Sequence, residues 1–342
     1  MHVLYQAVAG GMWAYSNAAF RVVVVGPRRL RHPPGTLILV THRRETDVPV
    51  LCPPLWYRAE LWRHPAAFAA RDDMFLPGFF AGFPPDLPVR ARRALYGVAV
   101  GSWLPRVRVH PIRSASVARL AEVLHEQPDA PLPDADVFRA RAAELGLPEP
   151  ERAADVLRGE YADLVWQPVG PDDPAGAGLD GFWERRALKA AEDFRRLVGL
   201  VRDGLSLVLF PEGRPSPDGE IGPIQRGLGA LVRRARPPAL LPVGLAYDPL
   251  VRRRTRVVVA FGDPVEPGPD PEAQALELLR AIMPVTAGQL VAAGAERADE
   301  DGRPVDPALG DPRRLEEARV EAERRPEELP FLAREYASAR DS

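Results

Sequence analysis

The stretch Thr36-Leu-Ile-Leu-Val-Thr41 runs without a break into His42-Arg-Arg-Glu-Thr-Asp47. An apolar, β-branched run of this length reads as a fully buried strand of the kind found in parallel sheets. A histidine stands where it ends, and a carboxylate follows five residues on. Open α/β sheets place their sites at the carboxyl ends of strands, so this junction points to a fold class and to a candidate site together. Five residues of continuous α-helix would turn the two side chains about 140° apart. The pair can meet only if the chain turns between them, so the spacing predicts a strand, a turn and a helix starting near Asp47. Asp47 then accepts a hydrogen bond from one ring nitrogen of His42, fixes the tautomer, and leaves the other nitrogen as a general base.

The same texture extends in both directions. Apolar runs at Val22 to Val25, Val107 to Ile112, Leu205 to Phe210, Leu240 to Leu245 and Arg256 to Phe261 read as further strands. Helices fit Val48 to Arg63, Ser116 to Glu126, Ala187 to Arg202, Arg226 to Arg236 and Glu272 to Ala292. This alternation predicts an α/β fold, with a mixed, mostly parallel central sheet flanked by helices. From about 127 to 181 Pro, Ala, Asp and Glu dominate, with Pro171-Asp-Asp-Pro174 marking a loop. That segment is an insertion: a lid, a small helical excursion or a partly disordered stretch. The expected organisation is an apolar N-terminal helix over 1–21, a main domain over 22–295 carrying the insertion, and a charged tail over 296–342.

The chain has 342 residues, 46% of them hydrophobic, which is ample for a packed core. Its single cysteine, Cys52, excludes an intramolecular disulfide framework and any multi-cysteine zinc site, and suits a reducing compartment. No metal or other cofactor is expected, because His32, His64, His110 and His125 lack ligand spacing. The net charge of −2 hides an asymmetry: residues 1–120 hold sixteen Arg against six acids, whereas 121–190 hold seven basic residues against fifteen acidic. A basic first third attracts phosphate, whether on nucleic acid, an anionic lipid or a phosphorylated cofactor. Met1 to Phe20 contains no charged side chain but includes Tyr5, Met12, Trp13, Tyr15 and Phe20. It reads as a helix lying in the membrane interface, with Arg21, Arg28, Arg29 and Arg31 near the head groups, or equally as a helix packed on the core. The basic residues follow the apolar run, whereas a signal peptide carries them before it.

Three more strand ends carry polar chemistry. Leu205-Ser-Leu-Val-Leu-Phe-Pro-Glu-Gly-Arg214 runs a buried strand into a glycine-bearing turn with Glu212 as its acid. Val107-Arg-Val-His-Pro-Ile-Arg113 ends in an arginine suited to bidentate phosphate binding. Leu240-Leu-Pro-Val-Gly-Leu245, broken by Pro242 and Gly244, reads as an edge strand or a close backbone approach.

Together these blocks resemble the phospholipid-synthesis acyltransferase family, which includes 1-acyl-glycerol-3-phosphate and glycerol-3-phosphate acyltransferases. The likeness covers roughly residues 20–125 and 185–265. The family's N-H-x-x-x-x-D block is similar to Thr41–Asp47, with His42 and Asp47 kept. Its P-I-x-R block resembles Pro111-Ile112-Arg113, F-P-E-G-T-R-S resembles Phe210-Pro-Glu-Gly-Arg-Pro-Ser216, and a proline-bearing apolar block resembles Leu241-Pro-Val-Gly244. Ala69 to Gly82 is similar to a stretch ending in P-G-F-F-x-G. The departures are Thr41 for Asn, Arg44 for Ser, and Arg214 one residue early with Pro215 in the arginine position.

The resemblance implies an enzyme moving a fatty acyl group from acyl-CoA or an acyl carrier protein to a hydroxyl of a glycerolipid such as lysophosphatidate. It implies His42 and Asp47 as the catalytic pair, and Arg113, Glu212, Gly213 and Arg214 as substrate-binding residues. The expected setting is the cytoplasmic side of the cell membrane, peripheral or monotopic, with no nucleic-acid partner. Direct attack on the thioester needs no covalent acyl-enzyme, so Cys52 is incidental; backbone N–H groups around the turns at His42 or Gly213 are candidate oxyanion donors. The run Met74–Phe83, with Phe75, Phe79, Phe80 and Phe83, lines an acyl tunnel, dips into a membrane or packs in the core. Two rival readings keep the fold: a non-phosphorylated lipid or polyol acceptor, and a catalytically silent lipid-binding scaffold. A serine hydrolase is disfavoured, since no G-x-S-x-G elbow occurs.

Overall fold

The computed structural model describes residues 2–27, 30–43, 47–58, 61, 65–82, 88–177, 179–213, 221–247 and 255–282. The expected tail over 296–342, and the expected helix beyond 282, lie outside the described residues. The fold is mixed α/β with a mostly parallel central sheet flanked by helices. Two compact units divide the chain: the first takes residues up to Phe68 and again from Leu197, the second Ala69–Arg196.

In the first unit, α1 (His2–Ala19) leads into β1 (Phe20–Val25), followed by β2 (Leu37–Val40), α2 (Asp47–Arg58) and the start of β3 (Ala67–Arg71). Strands β1, β9, β8, β2, β7 and β3 stand side by side in that order; β4 is next after β3. Within this sheet every described pairing is parallel except β8 with β9. All four residues of β2 are buried, as the apolar run predicts. Helix α2 begins at Asp47, where the five-residue spacing places it, although Pro53 and Pro54 lie inside it. Each missing amide costs about 3 kcal/mol in a helix interior; the full burial of Val50, Leu51 and Leu55 holds the helix. Tyr5 of α1 stacks on Trp56 of α2, ring centroids 5.7 Å apart. Trp13 and Tyr15 on the same helix are exposed. So α1 packs through one side, as the core reading had it, and presents aromatic rings on another. Among the described residues no helix is long and apolar enough to cross a membrane.

The second unit holds the rest of β3, α3 (Phe79–Gly82), α4 (Val89–Tyr96), β4 (Val109–Ile112), β5 (Ala118–Arg119), α5 (Leu120–Glu126), α6 (Ala135–Leu145), α7 (Ala153–Val156), α8 (Ala162–Val165) and β6 (Pro168–Val169). Helix α9 (Asp180–Arg202) carries the chain back to the first unit, whose further described elements are β7 (Leu207–Leu209), α10 (Gly227–Ala235), β8 (Leu240–Tyr247), β9 (Thr255–Phe261) and α11 (271–282). Segment 127–181 is a helical excursion with its own packing. Phe138, Val156, Tyr161, Val165 and Trp166 form a core with Leu120, Val123 and Leu124 of α5 and Phe182 of α9. Phe79 packs against it, 6.2 Å from Trp166, and Phe80 is exposed. Phe83 lies outside the described residues.

One expectation needs correction. Strand β8 is not an edge: it lies between β2 and β9, and all eight of its residues are buried. The N–H and C=O of one strand residue point to the same side, and the Pro242 carbonyl accepts a bond from Gly262 N–H at 3.0 Å. The N–H that proline lacks would face Gly262, one residue past the end of β9, so the bond forgone lies at the very end of that ladder. The close approach does occur: a Cβ on Gly262 would come within 2.8 Å of the Pro242 ring.

Leu39 is wholly buried between β7 and β8. Leu39→Ala should lower the unfolding free energy by about 3 kcal/mol in urea titrations, whereas Leu188→Ala, on an exposed side of α9, should change it by less than about 0.5 kcal/mol.

Candidate active site

Register brings the candidate residues of the first unit together. Strands β2 and β7 are parallel, with Leu39 beside Leu209. Residues 42 and 212 are each three positions further on, so they leave the sheet at the same end. On the other side of β2, Val40 pairs with Val243 of β8. The Thr41 hydroxyl continues that ladder by accepting from Leu245 N–H at 2.9 Å, and Thr41 N–H donates to the Val243 carbonyl at 3.1 Å. The Thr41 side chain and backbone thus seal the exit of β2.

His42 and Asp47 meet as the spacing requires. The imidazole Nδ1 lies 2.9 Å from Asp47 Oδ2. Arg43 N–H donates to the same oxygen at 2.6 Å, and the Tyr247 hydroxyl donates to Oδ1 at 2.7 Å. Asp47 has no exposure to water, and His42 is 9% exposed. A buried carboxylate has no proton to give, so Nδ1 carries the hydrogen and Nε2 keeps its lone pair. Nε2 has no hydrogen-bond partner among the described residues. The Phe210 ring lies against the imidazole at 4.6 Å between centroids, tilted by 35°.

Glu212 is a strut beneath the histidine. Its Oε1 accepts from His42 N–H at 2.8 Å, and its Oε2 from Gly222 N–H at 3.0 Å. Burial pushes its carboxyl above the ordinary value of 4.5, against the lowering effect of the His42 N–H bond and of the nearby Arg43 charge. Gly213 turns the chain at φ +76°, in the left-handed region that a side chain rarely adopts. Its N–H donates to the Phe210 carbonyl at 3.0 Å. Of the amides around these two turns, His42 N–H is committed to Glu212 and Gly213 N–H to its own turn. Arg214, expected to bind substrate, lies outside the described residues.

Arg113 belongs to the second unit, where acids surround it. Its Nε lies 3.3 Å from Asp72 and its Nη1 3.3 Å from Asp193. Arg186, 3% exposed at its side chain, bonds Asp72 and Glu122, each at 2.6 Å, and the Ser114 carbonyl at 2.9 Å. Arg119 bonds Asp73 at 2.7 Å and the Trp166 carbonyl at 2.9 Å, and Arg71 also pairs with Asp73. Four guanidinium groups meet four carboxylates, so this network carries no surplus positive charge. Burial pushes Glu122 and Asp193 above the ordinary carboxylate range.

Two residues at the His42 site were absent from the sequence-based set. Tyr247 is the one side chain with a polar tip in the run Leu240–Tyr247 and stands where that strand ends, which is the signal that marks it. Phe210 precedes the Pro-Glu-Gly turn; nothing in its spacing marks a contact with His42. Burial pushes the Cys52 thiol up to about 12, so it stays protonated at neutral pH. Among the described residues no group of three or more His, Cys, Asp or Glu is arranged to hold a metal ion.

The strut has a pH signature. A carboxyl whose folded pKa is raised binds more protons in the folded state, so its contribution falls as pH rises from about 4.5 through the folded pKa. In Glu212→Gln this slope disappears, while an amide NH2 facing a backbone N–H removes one bond at every pH. Thermal melts of both proteins across pH 4 to 8 should show the wild type's advantage shrinking through that window and levelling off above it.

No protein-family model matches the chain, and no curated protein matches it. Among solved structures it is similar to the 1-acyl-sn-glycerophosphate (LPA) acyltransferase PlsC from Thermotoga maritima, with 13% sequence identity over 81% of this chain and 78% of that chain, and a TM-score of 0.41.

Proposed function

We propose that this protein is an O-acyltransferase that uses His42 as a general base, moving an acyl group from an acyl thioester to a lipid hydroxyl. The observation that carries the reading is the His42–Asp47 pair at the end of β2, with Nδ1 held at 2.9 Å and Nε2 without a partner among the described residues. The sequence blocks around His42 and Glu212 support it.

Nε2 removes the proton of the acceptor hydroxyl as its oxygen attacks the thioester carbonyl carbon. The carbonyl π pair moves to oxygen, then returns as the carbon–sulfur bond breaks. The leaving thiolate takes the proton from the imidazolium and departs as free thiol. Asp47 stays ionised throughout, orienting the ring and stabilising its transient positive charge, as buried carboxylates do behind catalytic histidines. Among the described residues no hydroxyl or thiol hydrogen bonds to Nε2, which favours direct attack over an acyl-enzyme. Donor candidates are acyl-CoA and acyl carrier protein.

For the acceptor, the sequence blocks favour a glycerolipid such as lysophosphatidate, with Arg113, Glu212, Gly213 and Arg214 as the proposed substrate-binding residues. One observation favours a second reading: Asp72 and Asp193 already neutralise Arg113, which suits a non-phosphorylated lipid or polyol hydroxyl. The exposed Trp13 and Tyr15 of α1 and the arginine surplus over 1–120 suit a peripheral position on an anionic, cytoplasmic membrane face, as part of phospholipid synthesis.

Purified protein should release thiol from an acyl thioester only when a suitable acceptor alcohol is added, and the acceptor that works names the substrate. His42→Ala should cut that rate by about 10²- to 10⁴-fold. Unchanged turnover in the variant would remove His42 from the chemistry. A wild type that releases no thiol with any acceptor would favour a lipid-binding scaffold.

A further inference from the structure

We propose that Tyr247 is a positioning residue for the His42–Asp47 pair; this rests on the reading of His42 as the general base. The Tyr247 hydroxyl, at the end of β8, donates to Asp47 Oδ1 at 2.7 Å across 200 residues of sequence. The other carboxylate oxygen serves His42 Nδ1 and Arg43 N–H. The carboxylate plane is thus fixed from both ends: from the loop after β2 by Arg43, and from the sheet by Tyr247. The phenol is itself immobile. Its side chain is 1% exposed, and its ring meets Phe20 of β1 edge-on, 6.1 Å between centroids. An aspartate at the first position of a helix has rotational freedom about two side-chain bonds; a rigid donor on Oδ1 selects the rotamer that presents Oδ2 to the imidazole. Among the described residues, charges near the pair include the Glu212 carboxylate, which holds the His42 backbone, and the Arg43 guanidinium.

The role differs from that of a substrate contact, because Tyr247 acts through Asp47. Tyr247→Phe keeps the ring and its contact with Phe20 and removes one O–H. It should lower kcat about ten- to hundred-fold, the scale of losing one hydrogen bond to a charged group, and leave KM for thioester and acceptor within about two-fold. In an Asp47→Asn background the same change should cause little further loss, since the two residues work as one unit. A second readout does not depend on turnover. The 15N–1H correlation spectrum of the histidine rings, with His42 assigned by its absence in His42→Gln, should show the Nδ1–H tautomer in the wild type. It should show a mixture of tautomers in Tyr247→Phe.

A full additional loss in the Asp47→Asn background would overturn the proposal, as would a rise in KM without a fall in kcat. A Tyr247→Phe protein with wild-type kcat and an unchanged tautomer pattern would do so equally. If the wild type transfers no acyl group, the reading of His42 as a base fails by itself, and the tautomer pattern still decides whether Tyr247 orients the pair.

Discussion

A carboxylate with no access to water must be met by hydrogen-bond donors, and the structure around His42 follows from how Asp47 is met. Among the described residues its donors include the histidine ring at the end of β2, the backbone of Arg43 just beyond, and the phenol that closes β8. Remove any of them and a buried negative charge is left short of a partner. The position of Asp47 as the first residue of α2 adds the favourable field of a helix N-terminus. That arrangement is possible only because β2 lies between β7 and β8 in fixed register, so that residues far apart in sequence leave the sheet at one end.

The same end of the sheet carries a second buried acid with a different duty. Glu212 spends both oxygens on backbone N–H groups and so fixes the main chain of His42. Asp47 fixes the side chain. Two acids thus hold one histidine, backbone and ring, while Phe210 lies against its face. The arginine network of the second unit follows another logic: its acids are shared, Asp72 between Arg113 and Arg186 and Asp73 between Arg71 and Arg119. Such a set is stable when complete and costly when one member is lost.

Much of this was legible because the physics is local. An apolar strand, a polar turn and a helix starting at Asp47 follow from residues 36–47 alone, and the rotation of a helix excludes the alternative in which the pair never meets. The harder features depend on neighbours that sequence order does not reveal. Strand β3 is Ala67-Phe-Ala-Ala-Arg71, too rich in alanine to read as a strand, and becomes one by pairing with β7. In segment 127–181 the helices are short, eleven residues in α6 and four each in α7 and α8, and the Pro, Asp and Glu between them interrupt the apolar pattern of the core that holds Val156, Tyr161 and Trp166. Arg113 reads as a phosphate ligand by its place at a strand end; only the fold brings Asp72 and Asp193 to it. Tyr247 reads as one more core aromatic until β8 is placed beside β2.

The central claim is that a histidine oriented by a buried aspartate activates an acceptor hydroxyl for direct attack on a thioester, with both substrates present at once. Initial rates of thiol release over a grid of thioester and acceptor concentrations test it most directly. The account predicts double-reciprocal lines that intersect, as a ternary complex requires. Parallel lines, the signature of a covalent acyl-enzyme, would contradict it, as would thiol release independent of the acceptor.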